Sequence, residues 1–473
     1  VSAATAPAVR WALASLSMSM LLSSLGTSIA NVGLPTFAQV FTASFQDVQW
    51  IVLAYLLAIT TLIVSAGRLG DITGRRRLLL AGILLFTAAS VLCGVAPTLW
   101  LLIAARAAQG IGAAIMMALT MAFVGETVPK ARTGSAMGLL GTMSAIGTAL
   151  GPSLGGILIA GFSWRAIFLV NVPLGILTFI LAYRALPVDR RDPNRPKAAL
   201  SGFDWSGTVL LAMTLGVYAL AMTLGRGNFG ALNVALLAAA AFGTGLFVFI
   251  EARTASPLIR LNMLRNPVLS TGFAMSALVS TVMMATLVVG PFYLAGGLGL
   301  DAALVGIVLS VGPLVAALTG VPAGRIADRF GARRMTIAGL IGIAAGSFIL
   351  AMLPATLGIP GYIGPIVLIT GGYALFQTAN NTAAMSDVAA EQRGVISGML
   401  NLSRNLGLVT GASAIGAIYA FAASAVDVTM TQPAAIATGM RVTFAVAGVL
   451  IVVALAVAAR RIKPGTVPDP CSA

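Results

Sequence analysis

Two arginines, Arg106 and Arg404, fall inside apolar segments, about 10 and about 15 Å from the nearer end at 1.5 Å per residue. An arginine that deep in a membrane costs roughly 2.5–3.5 kcal/mol on insertion scales, so it faces protein or a wet cavity rather than lipid. Each has two readings: a cation tied to carbonyls, or a charge that handles protons or a ligand. Of the thirteen acids, Asp47, Asp301 and Asp427 fall in outer loops. Asp71, Asp189, Asp192, Asp204, Glu251, Asp328, Glu391 and Asp469 fall on the inner side, and none lies mid-segment. Glu126 and Asp387 stand at the inner ends of two apolar segments. A desolvated carboxylate is the ordinary proton carrier, which makes this pair the candidate carriers, with a helix-end surface role as the alternative. Ser24, Thr27, Ser28 and Asn31 share one helical face, as do Gln377, Asn380 and Asn381. With Gln109, they either line a cavity for neutral or weakly charged organic molecules or tie helices together by hydrogen bonds. There is no histidine, and Cys93 and Cys471 have no disulfide or zinc spacing. Neither a metal nor a cofactor is expected, and no clustered nucleophile or base suggests an enzyme.

The elements that hold these residues are membrane helices. Hydrophobic residues make up 59% of the 473-residue chain and charged residues 9%, with a mean hydropathy of +1.00. A soluble domain carries about 25% charged residues. Apolar runs of roughly 20 residues predict fourteen spans, at about 11–33, 48–67, 78–96, 99–124, 134–160, 166–185, 205–223, 232–250, 268–295, 303–323, 335–353, 361–386, 394–423 and 438–459. No cleavable leader is expected, because the first run is already of spanning length. The net charge of +15 is spread over loops, so topology rather than nucleic acid explains it. With both termini cytoplasmic, 23 of the 28 Lys and Arg lie inside, and only Arg165, Arg226 and Arg441 lie outside. An odd number of spans would scramble that bias.

An internal repeat divides the chain. GRLGDITGRRR (67–77) recurs as GRIADRFGARR (324–334), and Gly134, Gly138, Gly147, Gly151 and Gly156 recur 260 residues later as Gly394, Gly398, Gly407, Gly411 and Gly416. The expected fold is therefore all-α: a six-helix bundle over 1–186, a cytoplasmic linker 187–203, two inserted spans over 204–251, a cytoplasmic loop 252–267, a second six-helix bundle over 268–463 and a tail 464–473. Parallel repeats of this kind build transporters whose substrate site lies between the bundles near mid-membrane. In the 67–77 loop, Gly67 and Gly74 suit a tight turn, and Asp71 can cap a helix or pair with Arg75 and Arg76. Gly324, Asp328, Gly331 and Arg333 repeat the pattern. The alternatives are a solvated basic turn and a conformational latch. In GTALGPSLGG (147–156), Gly147, Gly151 and Gly155 lie on one helical face, and Pro152 frees the carbonyl of Thr148. With Gly156, this stretch is either a packing seam or a pivot. Its partner GLVTGASAIG (407–416) has Ala412 in place of Pro152.

These motifs in this order resemble the major facilitator superfamily, and more narrowly its fourteen-helix drug:proton antiporter branch. GRLGDITGRRR is similar to the signature between helices 2 and 3, RAAQG (106–110) to the helix-4 arginine motif, and GTALGPSLGG to the helix-5 antiporter motif. WRAIFLVNVPLG (164–175) and FDWSG (203–207) resemble marks of the fourteen-helix branch. The resemblance implies a proton-coupled exporter of amphipathic small molecules in the inner membrane, with small-molecule substrate, protons and lipid as partners and no obligate protein or nucleic-acid partner. It assigns the latch role to the repeated loop and a coupling or gating role to Arg106. One departure matters: Gly26 stands where the family's helix-1 pattern usually carries an aspartate, which argues against strongly cationic substrates. A dedicated exporter of one metabolite or antibiotic is the second reading, and a non-transporting membrane sensor the third.

Overall fold

Apolar helices account for nearly every described element. The computed structural model describes residues 6–127, 133–187, 204–224, 230–254, 257, 265–385, 393–423 and 433–460. The first part comprises α1 (Ala6–Ser28), α2 (Leu34–Val40), α3 (Phe45–Thr73), α4 (Arg75–Val95), α5 (Leu99–Thr127), α6 (Thr133–Gly161), α7 (Ala166–Leu169) and α8 (Asn171–Ala185). Next come α9 (Trp205–Thr223) and α10 (Ala231–Glu251), and then α11 (Pro267–Phe292), α12 (Ala302–Phe330), α13 (Ala332–Met352), α14 (Gly358–Met385), α15 (Arg393–Thr410), α16 (Gly416–Ala423) and α17 (Pro433–Arg460). Among the described residues, thirteen helical stretches are long and apolar enough to cross a membrane, and α1 is not one of them. Its serines lower its hydropathy, yet Ser15, Ser19 and Ser23 each donate to a carbonyl of α1 itself at 2.8–3.0 Å, and the helix is buried against α5, α6 and α8. Residues 188–203 of the expected linker, most of the 252–267 loop, the 464–473 tail and Asp387 lie outside the described residues.

Large apolar side chains are exposed all around the bundle, among them Trp100, Phe162 and Phe242, as a lipid solvent requires. Helices α1–α8 pack largely with one another, as do α11–α17, and the most extensive contact between these two groups runs along α6 and α12. The inserted helices α9 and α10 pack on each other, and α9 is fastened to α3 by Trp50 Nε1 donating to Thr223 Oγ1 (3.1 Å) and by the Ser65–Thr208 hydroxyl pair (2.8 Å).

Two local departures from the expected pattern have plain causes. The first apolar run is expected to reach residue 33, but α1 stops at Ser28. Asn31 Nδ2 donates to the carbonyls of Thr27 (3.1 Å) and Ser28 (3.2 Å) as the chain turns, and Pro35 then opens α2. At the repeated loop, only one glycine in each copy makes the turn. Gly74 joins α3 to α4 at φ 102°, and Gly331 joins α12 to α13 at φ 87°, a backbone region that favours glycine. Gly67 and Gly324 lie inside α3 and α12, so the turn expected at Gly67 does not form there. Asp71 and Asp328 fall in the last turns of those helices and not at an N-cap position. We refer below to the end carrying Gly74 and Gly331 as the turn end, and to the opposite one as the far end.

Candidate functional site

Gly147 and Gly151 face α1, and Gly155 faces the turn that follows it. A Cβ on Gly147 would lie 2.5 Å from the Leu21 carbonyl oxygen, one on Gly151 would overlap Ser28 Oγ, and one on Gly155 would lie 2.7 Å from Val32 Cγ1. Two hydrogen bonds lace the seam: Ser24 with Ser144 (2.7 Å), and Ser28 Oγ donating to the Gly147 carbonyl (3.3 Å). The second group repeats this packing. Gly407 and Gly411 close on α11 at Ala277 and Thr281, and Thr281 Oγ1 donates to the Gly407 carbonyl at 3.1 Å.

Gly156 faces elsewhere. Its Cβ would lie 2.5 Å from the Ala302 carbonyl oxygen and 2.9 Å from Gly306 Cα, both on α12 of the second group. A Cβ on Gly306 would in turn overlap the Pro152 carbonyl oxygen. Here the two groups cross backbone to backbone. The matching positions 260 residues on form the other crossing, between α15–α16 and α3. The carbonyl of Ala412 accepts a hydrogen bond from Gln49 Nε2 at 2.8 Å, and Gly416 has no room for a side chain because the Gln49 amide lies there. α6 runs on through Pro152, whereas the second copy becomes π-helical over Gly411–Ile415. One copy thus frees backbone with a proline, the other with a widened turn.

Arg106 is completely buried among α3, α4, α5 and α7. Its Nε donates to the Ile51 carbonyl (3.0 Å) and Nη1 to Gln109 Oε1 (2.5 Å), and Gln109 Nε2 donates to Ser90 Oγ (2.7 Å). The guanidinium carbon lies 4.1 Å from the centroid of the Tyr55 ring. The charge is therefore held by a carbonyl, an amide and a π face. Gln109, expected to line a cavity, serves that network instead. Tyr55 donates its hydroxyl to the Ser23 carbonyl (2.7 Å), and a Cβ on Gly26 would lie 2.9 Å from the Tyr55 hydroxyl oxygen and 3.2 Å from the Phe86 ring. The place of the usual helix-1 aspartate is filled by aromatic side chains.

The remaining candidates separate into two kinds. Ser24 and Asn380 tie helices together, the latter through Nδ2 to the Gly272 carbonyl (3.2 Å), and Asn31 is buried with its amide turned to its own helix. Thr27, Gln377, Asn381 and Arg404 are half-buried. Arg75 is half-buried beside the turn, and Arg76 donates to the Tyr183 carbonyl and lies 4.9 Å over its ring, so it anchors the first copy to α8. Arg333 is exposed, and the side chains of Asp71, Asp328 and Glu126 lie outside the described residues. The two further motifs serve scaffolding: Trp164 packs edge-on against Phe37 (5.6 Å) and Phe41 (5.4 Å), holding α2 over the far end, and Asp204 caps α9 through Gly207 N (2.7 Å).

The far-end closure was not evident from motifs. Phe45 of α3 meets Phe292 of α11 at 4.8 Å and Tyr419 of α16 at 5.0 Å, beside the Gln49–Ala412 bond. A glutamine inside an apolar span was the available signal. Hydrogen bonds between membrane helices are worth roughly 0.6–1.7 kcal/mol. Gln49→Ala is therefore expected to favour separation at the far end by roughly 3- to 18-fold. The check is faster alkylation of a cysteine placed at Ala43, in a background lacking Cys471.

Comparisons with known proteins agree with this architecture. The Major Facilitator Superfamily profile matches residues 16–412. The chain is 31% identical over 399 residues to "Multidrug resistance protein Stp" of Mycobacterium tuberculosis, covering 84% of this chain and 73% of that one. It is 30% identical over 404 residues to "Riboflavin transporter RibZ" of Clostridioides difficile, covering 84% and 86%. Its fold superposes with a TM-score of 0.68, at 15% identity, on a bacterial homolog of the human lysosomal transporter Spinster, covering 96% of this chain and 97% of that one. With its helical bundle, its glycine crossings and its family profile in agreement, the chain belongs to the major facilitator superfamily of membrane transporters.

Proposed function

We propose that this protein is a proton-coupled secondary exporter of amphipathic small molecules that works by alternating access. The observation that carries this reading is the pair of crossings between the two helix groups, Gly156 on Gly306 and Gln49 on the Ala412 carbonyl. The first packs α6 closely along α12, and the second is a side-chain-to-backbone hydrogen bond, contacts on which one group can pivot and which it can break as it rocks on the other. The multidrug resistance name of the Mycobacterium tuberculosis relative supports export of varied compounds. In this reading α1 is the fourteenth span, the two bundles are repeats, and the termini and turn end face the cytoplasm across the inner membrane, as the basic residues favour. Asp71 and Asp328 latch the turn end with the arginines beside them. Glu126 and Asp387 are the proposed proton carriers, and Arg106 holds the network that links α5 to α3. A dedicated exporter of one metabolite is the second reading, favoured by Gly26 and by the riboflavin transporter name of a relative.

Efflux from dye-loaded cells tests the proposal. Export that collapses with a protonophore is expected, and export that persists without a proton gradient refutes coupling. Replacing Glu126 and Asp387 together by glutamine is expected to abolish pH-gradient-driven export. Unchanged export from that double variant moves the coupling site elsewhere, and strong export of divalent cations contradicts the inference from Gly26.

A further inference from the structure

Arg404 is the twelfth residue of α15, so about 16 Å along the helix from its start at the turn end. The apolar membrane-crossing stretch of this part of the chain runs over Met399–Ala423, so Arg404 stands about 8 Å inside its turn-end edge. Among the described residues its guanidinium has no hydrogen bond, no ion pair and no aromatic ring over which it lies, and it is only half-buried. Arg106 is the contrast, with all its surroundings supplied by protein.

The register of the repeat says which way Arg404 faces. On α6 the exposed side chains Leu139, Leu150 and Ile157 mark the lipid face, and Ser144 lies well around the helix from them, bonded inward to Ser24. Arg404 is the position 260 residues after Ser144, on a helix whose Gly407 and Gly411 pack on α11 as Gly147 and Gly151 pack on α1. It therefore stands away from the lipid, on the side of α15 turned toward α11. Next to it, Asn405 Nδ2 is buried without an acceptor.

No acid of the described helices can neutralise this site. Asp47, Asp204 and Asp301 are at helix starts, and Asp71, Glu126, Glu251 and Asp328 are in last turns. An interior that holds the cationic Arg404 and no mid-span carboxylate repels a cationic ligand and favours one bringing its own negative charge. The planar guanidinium fork matches a carboxylate through two parallel hydrogen bonds.

We propose that the protein takes amphipathic organic carboxylates, with the carboxylate held by Arg404. This rests on the exporter reading above and specifies its substrate class. The test uses inside-out membrane vesicles with a proton gradient and three probes of equal size: 2-naphthoate, 2-naphthamide and 2-naphthylmethylammonium. Wild-type protein is expected to accumulate the carboxylate at least about tenfold over the other two, as a site with a built-in charge partner discriminates. Arg404→Gln is expected to remove that preference, and Arg404→Lys to restore part of it. Uptake of the amide or the ammonium probe equal to that of the carboxylate by wild-type protein overturns the proposal and leaves the exporter standing. A full preference retained in Arg404→Gln also overturns it. No uptake of any probe overturns it together with the exporter reading. The wild-type comparison needs no variant, so the proposal stays testable if Arg404→Gln fails to fold.

Discussion

Replacing Gly156 by leucine is expected to reduce efflux to background while leaving membrane insertion intact. The new side chain has to enter where the Ala302 carbonyl and Gly306 Cα already lie within 3 Å of a Cβ, and backbone on both sides cannot rotate away as a side chain can. Overpacking in a tight interior costs about 1–3 kcal/mol even where neighbours adjust, and here relief requires the two helix groups to part at the far end. Gly306→Leu approaches the same crossing from α12, so the two substitutions together are expected to do little more than either alone. Gly161→Leu is the control, because it lies near the same end of α6 and a Cβ there meets nothing within 4 Å. Gly151→Leu is expected to abolish efflux by a different route, forcing α6 from α1 at Ser28 and so lowering thermal stability within the first group. Efflux, vesicle insertion and thermal unfolding in detergent check the set. Normal efflux from Gly156→Leu reduces the crossing to passive packing.

Arg106→Ala is expected to destabilise the first helix group, by about 2–5 kcal/mol for the cavity alone. The loss leaves the Ile51 carbonyl without its donor, frees Gln109 Oε1 and removes the cation from the face of Tyr55. Arg106→Lys restores charge but has one amine to divide between the Ile51 carbonyl and Gln109, so partial rescue is the expected outcome. The measurements are thermal unfolding in detergent and efflux at several imposed pH gradients. An Arg106→Ala protein of wild-type stability that has lost only its response to the gradient assigns the residue to proton coupling rather than to holding α5 on α3.

Much of the site was legible as residue types and spacing. The intramembrane position of Arg106 announced a buried cation, and its carbonyl tie was one of the two readings open to it. The glycines at 147, 151 and 155 were correctly placed on one face by helical periodicity, and Gly74 was correctly placed at a tight turn. Gly67 was not, because a glycine within a helix looks the same in sequence as one at a turn, and only the continuing backbone hydrogen bonds of α3 distinguish them. The end of α1 escaped for a similar reason: the apolar run continues past Ser28, while the Asn31 side chain captures carbonyls there and turns the chain.

By itself, the sequence determined a multi-pass membrane chain, its helical segments, the faces on which its glycines stand and the absence of mid-span carboxylates, because composition and periodicity are local properties. Only the tertiary structure decided which neighbour each face meets. Four glycines within ten residues serve two different partners: Gly147, Gly151 and Gly155 close on α1 and the turn after it, and Gly156 closes on α12. Likewise Gln49 finds the carbonyl of Ala412, 363 residues away, because a π-helical turn presents it. Helical spacing fixes direction around an axis, but what lies in that direction depends on how every other helix packs.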